Sequence, residues 1–239
     1  MEPHDPDSAH VDELAVTRLI GGSVCHRFNN LLAVAEMCAM LGMDMRASDP
    51  EDVEEVREAL GRMHESCASV RDLVALYGRF TAGELAPAGP DGIELGHALS
   101  LAHRLLEHRL LRNSLRWEAE PDGEPVRVPA PSSRLASLLC VLLGALASAE
   151  RLRGATLRAG VSATESGEAV ATFTLEGGDP PAGEALAQAR TRTLASVLAS
   201  PERRELGLAG VDRVAREIGA RLEFERDGDR LRIALHFPR

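Results

Sequence analysis

From about residue 8 to residue 80 apolar and small side chains recur at helical intervals, and almost no breaker interrupts them. Leu14, Gly21, Cys25, Phe28, Leu32, Ala35, Ala39 and Gly42 mark a first stripe at intervals built from threes and fours. Val53, Val56, Leu60, Met63, Cys67, Val70, Val74 and Tyr77 mark a second, in which threes and fours alternate without a gap. A stripe of this period predicts a helix packed lengthwise against others, so the segment predicts a helical hairpin. At the break, Arg46-Ala-Ser-Asp-Pro-Glu51, Ser48 or Asp49 can cap the second helix and Pro50 suits its first turn. Two helices share only one face, so the unbroken second stripe further predicts that two hairpins pair as a dimeric four-helix bundle, making a homodimer.

The pattern then changes. Thr81 to Gly92 is dense in Gly and Pro and predicts a linker between the hairpin (8–80) and a second domain (93–239). In that domain helical patterns fall at 93–112, 132–150, 183–199 and 207–219. Strand patterns fall at Leu115–Ala119, Val126–Val128, Thr156–Ala163, Ala169–Leu175, Arg221–Glu225 and Arg230–Phe237. The turns Glu165-Ser-Gly167 and Asp227-Gly-Asp229 join two pairs of strands into antiparallel hairpins. The fold class expected is α+β: a helical hairpin followed by an α/β sandwich with a largely antiparallel sheet.

Composition narrows the function classes. Aromatics are 3% of the 239 residues, so Leu, Ala and Val must build the core. The 27 basic residues are all Arg and are outnumbered by 37 acidic ones, and a net charge of −10 lacks the basic footprint of general nucleic-acid binding. No apolar run approaches the roughly 20 residues that span a bilayer, and the acidic opening MEPHDPDSAH is unlike a targeting signal. Cys25, Cys38, Cys67 and Cys140 have no paired spacing and are expected to be small buried thiols in a reducing compartment. The expected location is therefore cytoplasmic, with no membrane partner.

Candidate chemistry concentrates in Ser23-Val-Cys-His-Arg-Phe-Asn-Asn-Leu-Leu32. With Phe28 at the centre of the buried stripe and about 100° per residue, His26 and Asn30 each fall about 160° away and Ser23 about 140°. His26 is then expected on the solvent side in a collar of Gly22, Ser23, Asn30 and Ala33, small or neutral polar neighbours that leave a nucleophile accessible. An ordinary surface histidine fits the same spacing.

His26-Arg-Phe-Asn-Asn-Leu-Leu32 resembles the phospho-accepting box of two-component sensor histidine kinases, many of which read His-Asp/Glu-Phe-Asn-Asn-Leu-Leu. The order of a dimerising hairpin and an α/β domain is similar too, so the resemblance runs from about residue 10 to the end. It implies that His26 carries a phosphoryl group on a ring nitrogen, and that Asn30 positions water for dephosphorylating a partner.

The departures from that pattern shift the expected chemistry. Autophosphorylating members have an acidic base after the histidine, whereas this chain has Arg27, which cannot accept a proton but can pair with phosphate or carboxylate oxygens. Leu138-Leu-Cys-Val-Leu-Leu-Gly-Ala145 puts Cys140 and Gly144 where the resemblance expects asparagines, one of them a Mg²⁺ ligand. By the same resemblance Leu175 takes the place of the adenine-binding Asp, for which Glu176 or Asp179 could substitute only in a slipped register, and Glu205 puts a carboxylate where a glycine would admit phosphates. Gly207 of that last box is kept.

A hairpin with an exposed histidine, joined to a kinase-like domain without its nucleotide ligands, is similar to the degenerate histidine phosphotransferases of the ChpT type. That resemblance implies an enzyme that shuttles a phosphoryl group between His26 and receiver-domain aspartates of response regulators, without ATP. It would need no cofactor of its own, because the receiver supplies Mg²⁺. Gly22, Ser23 and Asn29 would let receiver loops approach, and Arg18 and Arg27 would contact phosphate or receiver. A non-catalytic scaffold binding response regulators, and an atypical ATP-dependent kinase, are the alternative readings. His97, His103 and His108 share one helical stretch at spacings poor for metal ligation, and His64 is expected at the surface. Arg104, Arg109, Arg112 and Arg116 form either a partner-facing patch or a solvated helix face.

Overall fold

A computed structural model describes residues 7–44, 50–84, 86, 88–120, 124–199 and 206–238. Two long helices open the chain, α1 (Asp7–Asp44) and α2 (Pro50–Thr81), packed side by side as the hairpin. Pro50 is the first helical residue of α2, as its fixed φ favours. Ser48 and Asp49 lie outside the described residues.

The buried stripes are displaced from the expected ones. On α1 the buried positions are Asp12, Ala15, Val16, Leu19, Ile20, Ser23, Val24 and Cys38, whereas Leu14 and Leu32 are exposed and Phe28 is half-buried. The reason is a second partner: the N-terminal half of α1 leans on the following domain as well as on α2. On α2 the buried line is Ala59, Ser66, Leu73 and Leu76. The expected stripe divides in two, with Val56, Met63, Val70 and Tyr77 half-buried and Val53, Leu60, Cys67 and Val74 facing out. That second line repeats every seven residues. Tyr77 reaches α1, where a Cβ on Gly21 would lie 3.4 Å from its hydroxyl.

The expected linker is partly structured. β1 (Ala88–Gly89) and β2 (Gly92–Glu94) pair antiparallel within and beside it, and β2 also pairs with β4 (Arg127–Val128). A chain reversal at Pro90-Asp91 closes this small sheet, which composition alone reads as a flexible link.

The second domain is a two-layer sandwich. β3 (Arg116–Ala119), β5 (Thr156–Ala163), β6 (Ala169–Glu176), β7 (Arg221–Asp227) and β8 (Arg230–Phe237) form one sheet in the order β3-β5-β6-β8-β7. Only β3 and β5 pair parallel; the other pairs are antiparallel, as their turns predict. Register fixes the faces: Phe173 lies opposite Ala159 on one side and Ile233 on the other, and all three are buried. Helices α3 (Leu95–Arg112), α4 (Ser132–Ser148) and α7 (Ala209–Glu217) pack over that core. The opposite face is polar, with Arg158 bridging Glu118 at 2.9 Å and Glu176 at 3.1 Å, and Arg230 reaching Glu176 at 2.9 Å. Arg158 on β5 and Arg232 on β8 fall between buried apolar positions and, with Arg230, give one packed and one wet face.

The single helix expected over 183–199 is two, α5 (Gly183–Ala189) and α6 (Leu194–Ala199). The break at residues 190–193 brings a backbone carbonyl against Gly207: a Cβ there would lie 2.6 Å from the Thr193 oxygen. The chain passes too close at Gly207 for any side chain.

Candidate functional site

His26 lies near the middle of α1 and is exposed, with Gly22, Asn29, Asn30 and Ala33 exposed beside it. The face expected around the imidazole is present, with one correction. Ser23 is buried, because α1 packs against the following domain as well as α2, so its side chain does not join that exposed face. Arg18 is exposed two turns before His26.

The imidazole of His26 is not free on its helix. It stacks on His108 of α3, with ring centroids 5.4 Å apart and planes 27° from parallel. The next residue, Arg27, pairs with Glu107 through Nη1 and Oε2. Two consecutive residues of α1 thus clasp two consecutive residues of α3. Beside them a crevice of about 80 Å³ is lined by Arg27, Ser69, Asp72, Leu73, Leu76 and Arg104. Sequence reading gave His108 no role, since it sought metal spacing within one helix and the partner lies on another. The signal available was the arginine-dense surface of the same helix.

Electrostatics on α3 run one way. Partial burial, then His26, Arg112, Arg109 and Arg27 in turn, hold His108 below the usual histidine range. His103 is also lowered, by burial first, with Glu107 opposing; it stacks on Trp117 at 4.3 Å. The residues 104 to 112 are therefore a basic surface beside His26, although the whole chain is acidic.

The four positions where the resemblance places nucleotide or metal ligands are either sealed or outside the described residues. Cys140 is fully buried, and burial pushes its thiol up. Gly144 offers no donor, and a Cβ there would lie 2.9 Å from Leu19 Cδ2 and 3.5 Å from Leu194 Cδ2. Leu175 is fully buried in the sheet core, ahead of the turn at Gly177 and Gly178, both at positive φ. Glu205 lies outside the described residues. A buried thiol and a leucine-filled glycine do not suit Mg²⁺, which takes oxygen ligands and keeps its waters. Among the described residues no cluster of three His, Cys, Asp or Glu side chains could hold a metal ion.

Asp12 completes the seal and was not legible as a site. It is 1% exposed, accepts a hydrogen bond from the Ala195 backbone N–H at 3.4 Å, and presses its carboxylate onto Gly210 at the start of α7. Burial raises its pKa, opposed by the backbone N–H groups of Ala195 and Leu194, the Arg213 guanidinium and the Gly210 N–H.

The cysteines also depart from expectation. Cys38 and Cys140 are buried, but Cys25 and Cys67 are exposed, Cys67 on the outward line of α2. Among the described residues no helix is long and apolar enough to cross a membrane.

No protein-family model and no curated protein matches the chain. Solved structures that resemble it include the Acinetobacter baumannii histidine kinase AdeS, 16% identical over 89% of this chain and 96% of that one, with a TM-score of 0.46. A bacterial phosphotransferase is 14% identical over 93% and 96%, with a TM-score of 0.43. The catalytic domain of histidine kinase ThkA is 18% identical over 61% and 94%, with a TM-score of 0.46. At such identities and scores these likenesses add nothing to the reading of the site, which stands on its own residues.

Proposed function

We propose that the chain is a histidine phosphotransferase of a two-component phosphorelay, passing a phosphoryl group between His26 and receiver-domain aspartates of response regulators without ATP. The observation that carries the proposal is that α1 does two things at once. Its Leu19 fills the face of Gly144, and two turns later it holds His26 exposed beside a basic helix. The first leaves little room for a nucleotide at that glycine, and the second leaves a nucleophile that a folded partner can reach.

In the proposed step a ring-nitrogen lone pair of His26 forms the new N–P bond. The P–O bond to the receiver aspartate breaks, and its electron pair leaves on the carboxylate. The receiver would supply its own Mg²⁺. This chain's part is positioning: Arg27 and Arg18 for the incoming anion, Gly22 and Asn29 for close approach, Asn30 for water if the group is hydrolysed. The outward line Val53, Leu60, Cys67 and Val74 on α2, with Met37, Met40 and Leu41 on α1, supports a second copy completing a four-helix bundle. A cytoplasmic location follows from this partner set.

The proposal is tested with receiver domains already carrying labelled phosphate. Label passing to the wild type and not to His26→Ala supports it. Label taken from ATP contradicts it, and binding of receivers that survives His26→Ala without any transfer favours the scaffold reading.

A further inference from the structure

An exposed histidine on a long helix turns freely about χ1 and χ2, and fixing it for in-line attack costs entropy. A hydrogen-bonding orienter would remove that freedom but occupy a ring nitrogen. His108 meets His26 through the ring face instead. The lone pair of an imidazole nitrogen lies in the ring plane, so a stacked neighbour restrains the ring and leaves both nitrogens open. The pair Arg27–Glu107 holds the same two helices in register one residue along.

We propose that His108 is the positioning residue for His26, holding its imidazole by stacking so that a ring nitrogen faces the incoming phosphoryl group. This rests on the phosphotransferase reading and adds to it a residue from the second domain. The two domains then act together: α3 of the second domain restrains the imidazole that α1 carries.

The charges around the pair shape its pH response. From α1 come His26 and Arg27; from α3, Arg104, Glu107, Arg109 and Arg112; from α2, Asp72, lining the crevice with Arg27 and Arg104. Glu150 and Arg153 lie across the cleft beyond Arg109 and Arg112. Partial burial first, and then the cations beside it, hold His108 below the usual histidine range, so its neutral form, which stacks without repelling a neighbour, prevails at neutral pH. Acid protonates it and loosens the stack.

The test uses the full chain and phosphoramidate, a small donor that needs no receiver. The His26 nitrogen forms the N–P bond while the P–N bond of phosphoramidate breaks and its electron pair leaves with ammonia, protonated by solvent. His108→Ala is expected to slow labelling of His26 about tenfold. It is also expected to move the His26 ring-proton resonances, which sit over the His108 ring. His108→Phe keeps a stacking face, so it should retain both near wild type at about pH 8, with a shallower fall in rate toward about pH 5 because residue 108 no longer titrates. Unchanged ring resonances and rate in His108→Ala overturn the inference, and so does equal loss in His108→Phe and His108→Ala. If phosphoramidate labels no variant, the ring resonances decide alone. Failure of transfer from receivers, with these effects intact, would instead count against the phosphotransferase reading.

Discussion

Leu19 of α1 lies over Gly144 of α4, so close that a Cβ on residue 144 would come within 2.9 Å of its Cδ2. The hairpin thus fills the space beside Gly144. Gly144→Ala should be tolerated within about 1 kcal/mol, because the end of a leucine side chain can yield and alanine favours the helix. Gly144→Asn should cost about 2–4 kcal/mol, since it buries an amide among Leu19 and Leu194. Thermal unfolding of the two variants checks the difference. Equal stability of both would mean that the site is open.

Asp12 places a carboxylate in the same seam. Its folded pKa is raised above the ordinary 3.8 by burial, so the fold prefers the protonated acid. Its contribution to stability is complete below 3.8 and is lost as pH rises through the raised value. Asp12→Asn keeps an acceptor for the Ala195 N–H without the charge, and should raise stability at neutral pH by about 1 kcal/mol. The gain should vanish in acid. Melting temperatures of wild type and variant from acid to neutral pH measure it, and a gain that persists in acid would contradict the assignment.

The cysteines separate the single chain from a dimer. Cys25 and Cys67 are exposed and Cys38 and Cys140 buried, so a thiol reagent should modify two sites quickly in a monomer. Cys67 belongs to the outward line with Val53, Leu60 and Val74, so in the proposed bundle it is protected while Cys25 stays reactive. Mass spectrometry of modified peptides against protein concentration distinguishes the two cases. Equal rates for Cys25 and Cys67 at high concentration would exclude pairing through that face.

Arg27 and Glu107 have side chains 37% and 36% exposed, which places their ion pair among those worth about 0–1 kcal/mol. A double-mutant cycle on unfolding should give a coupling within that range. Receiver-dependent transfer should fall about tenfold in Arg27→Ala, through loss of an anion contact and of helix register. A stability loss larger than the transfer loss would make the residue structural.

Much of this architecture was legible in the chain. β5 and β8 run as Thr156–Ala163 and Arg230–Phe237, because alternation and Gly-containing turns fix both ends of a hairpin strand. The hairpin helices were legible for the same reason, but their phase was not. Periodicity reports that a face is apolar without saying which of two neighbours covers it, so Ser23 was placed on the wrong side and Cys67 in a core. The exposure of His26, Asn29 and Asn30 was legible from the pattern. His108, Glu107 and Asp12 were not, because each acts across a contact between segments far apart in sequence, 82, 80 and 183 residues in the His26–His108, Arg27–Glu107 and Asp12–Ala195 pairs.

The most direct test of the central claim follows the phosphoryl group itself. Purified protein and its His26→Ala variant are incubated in parallel with labelled ATP and with receiver domains carrying labelled phosphate. The account predicts label on wild type from a receiver, none on the variant, and none on either from ATP. Label passing from ATP to His26 would contradict it.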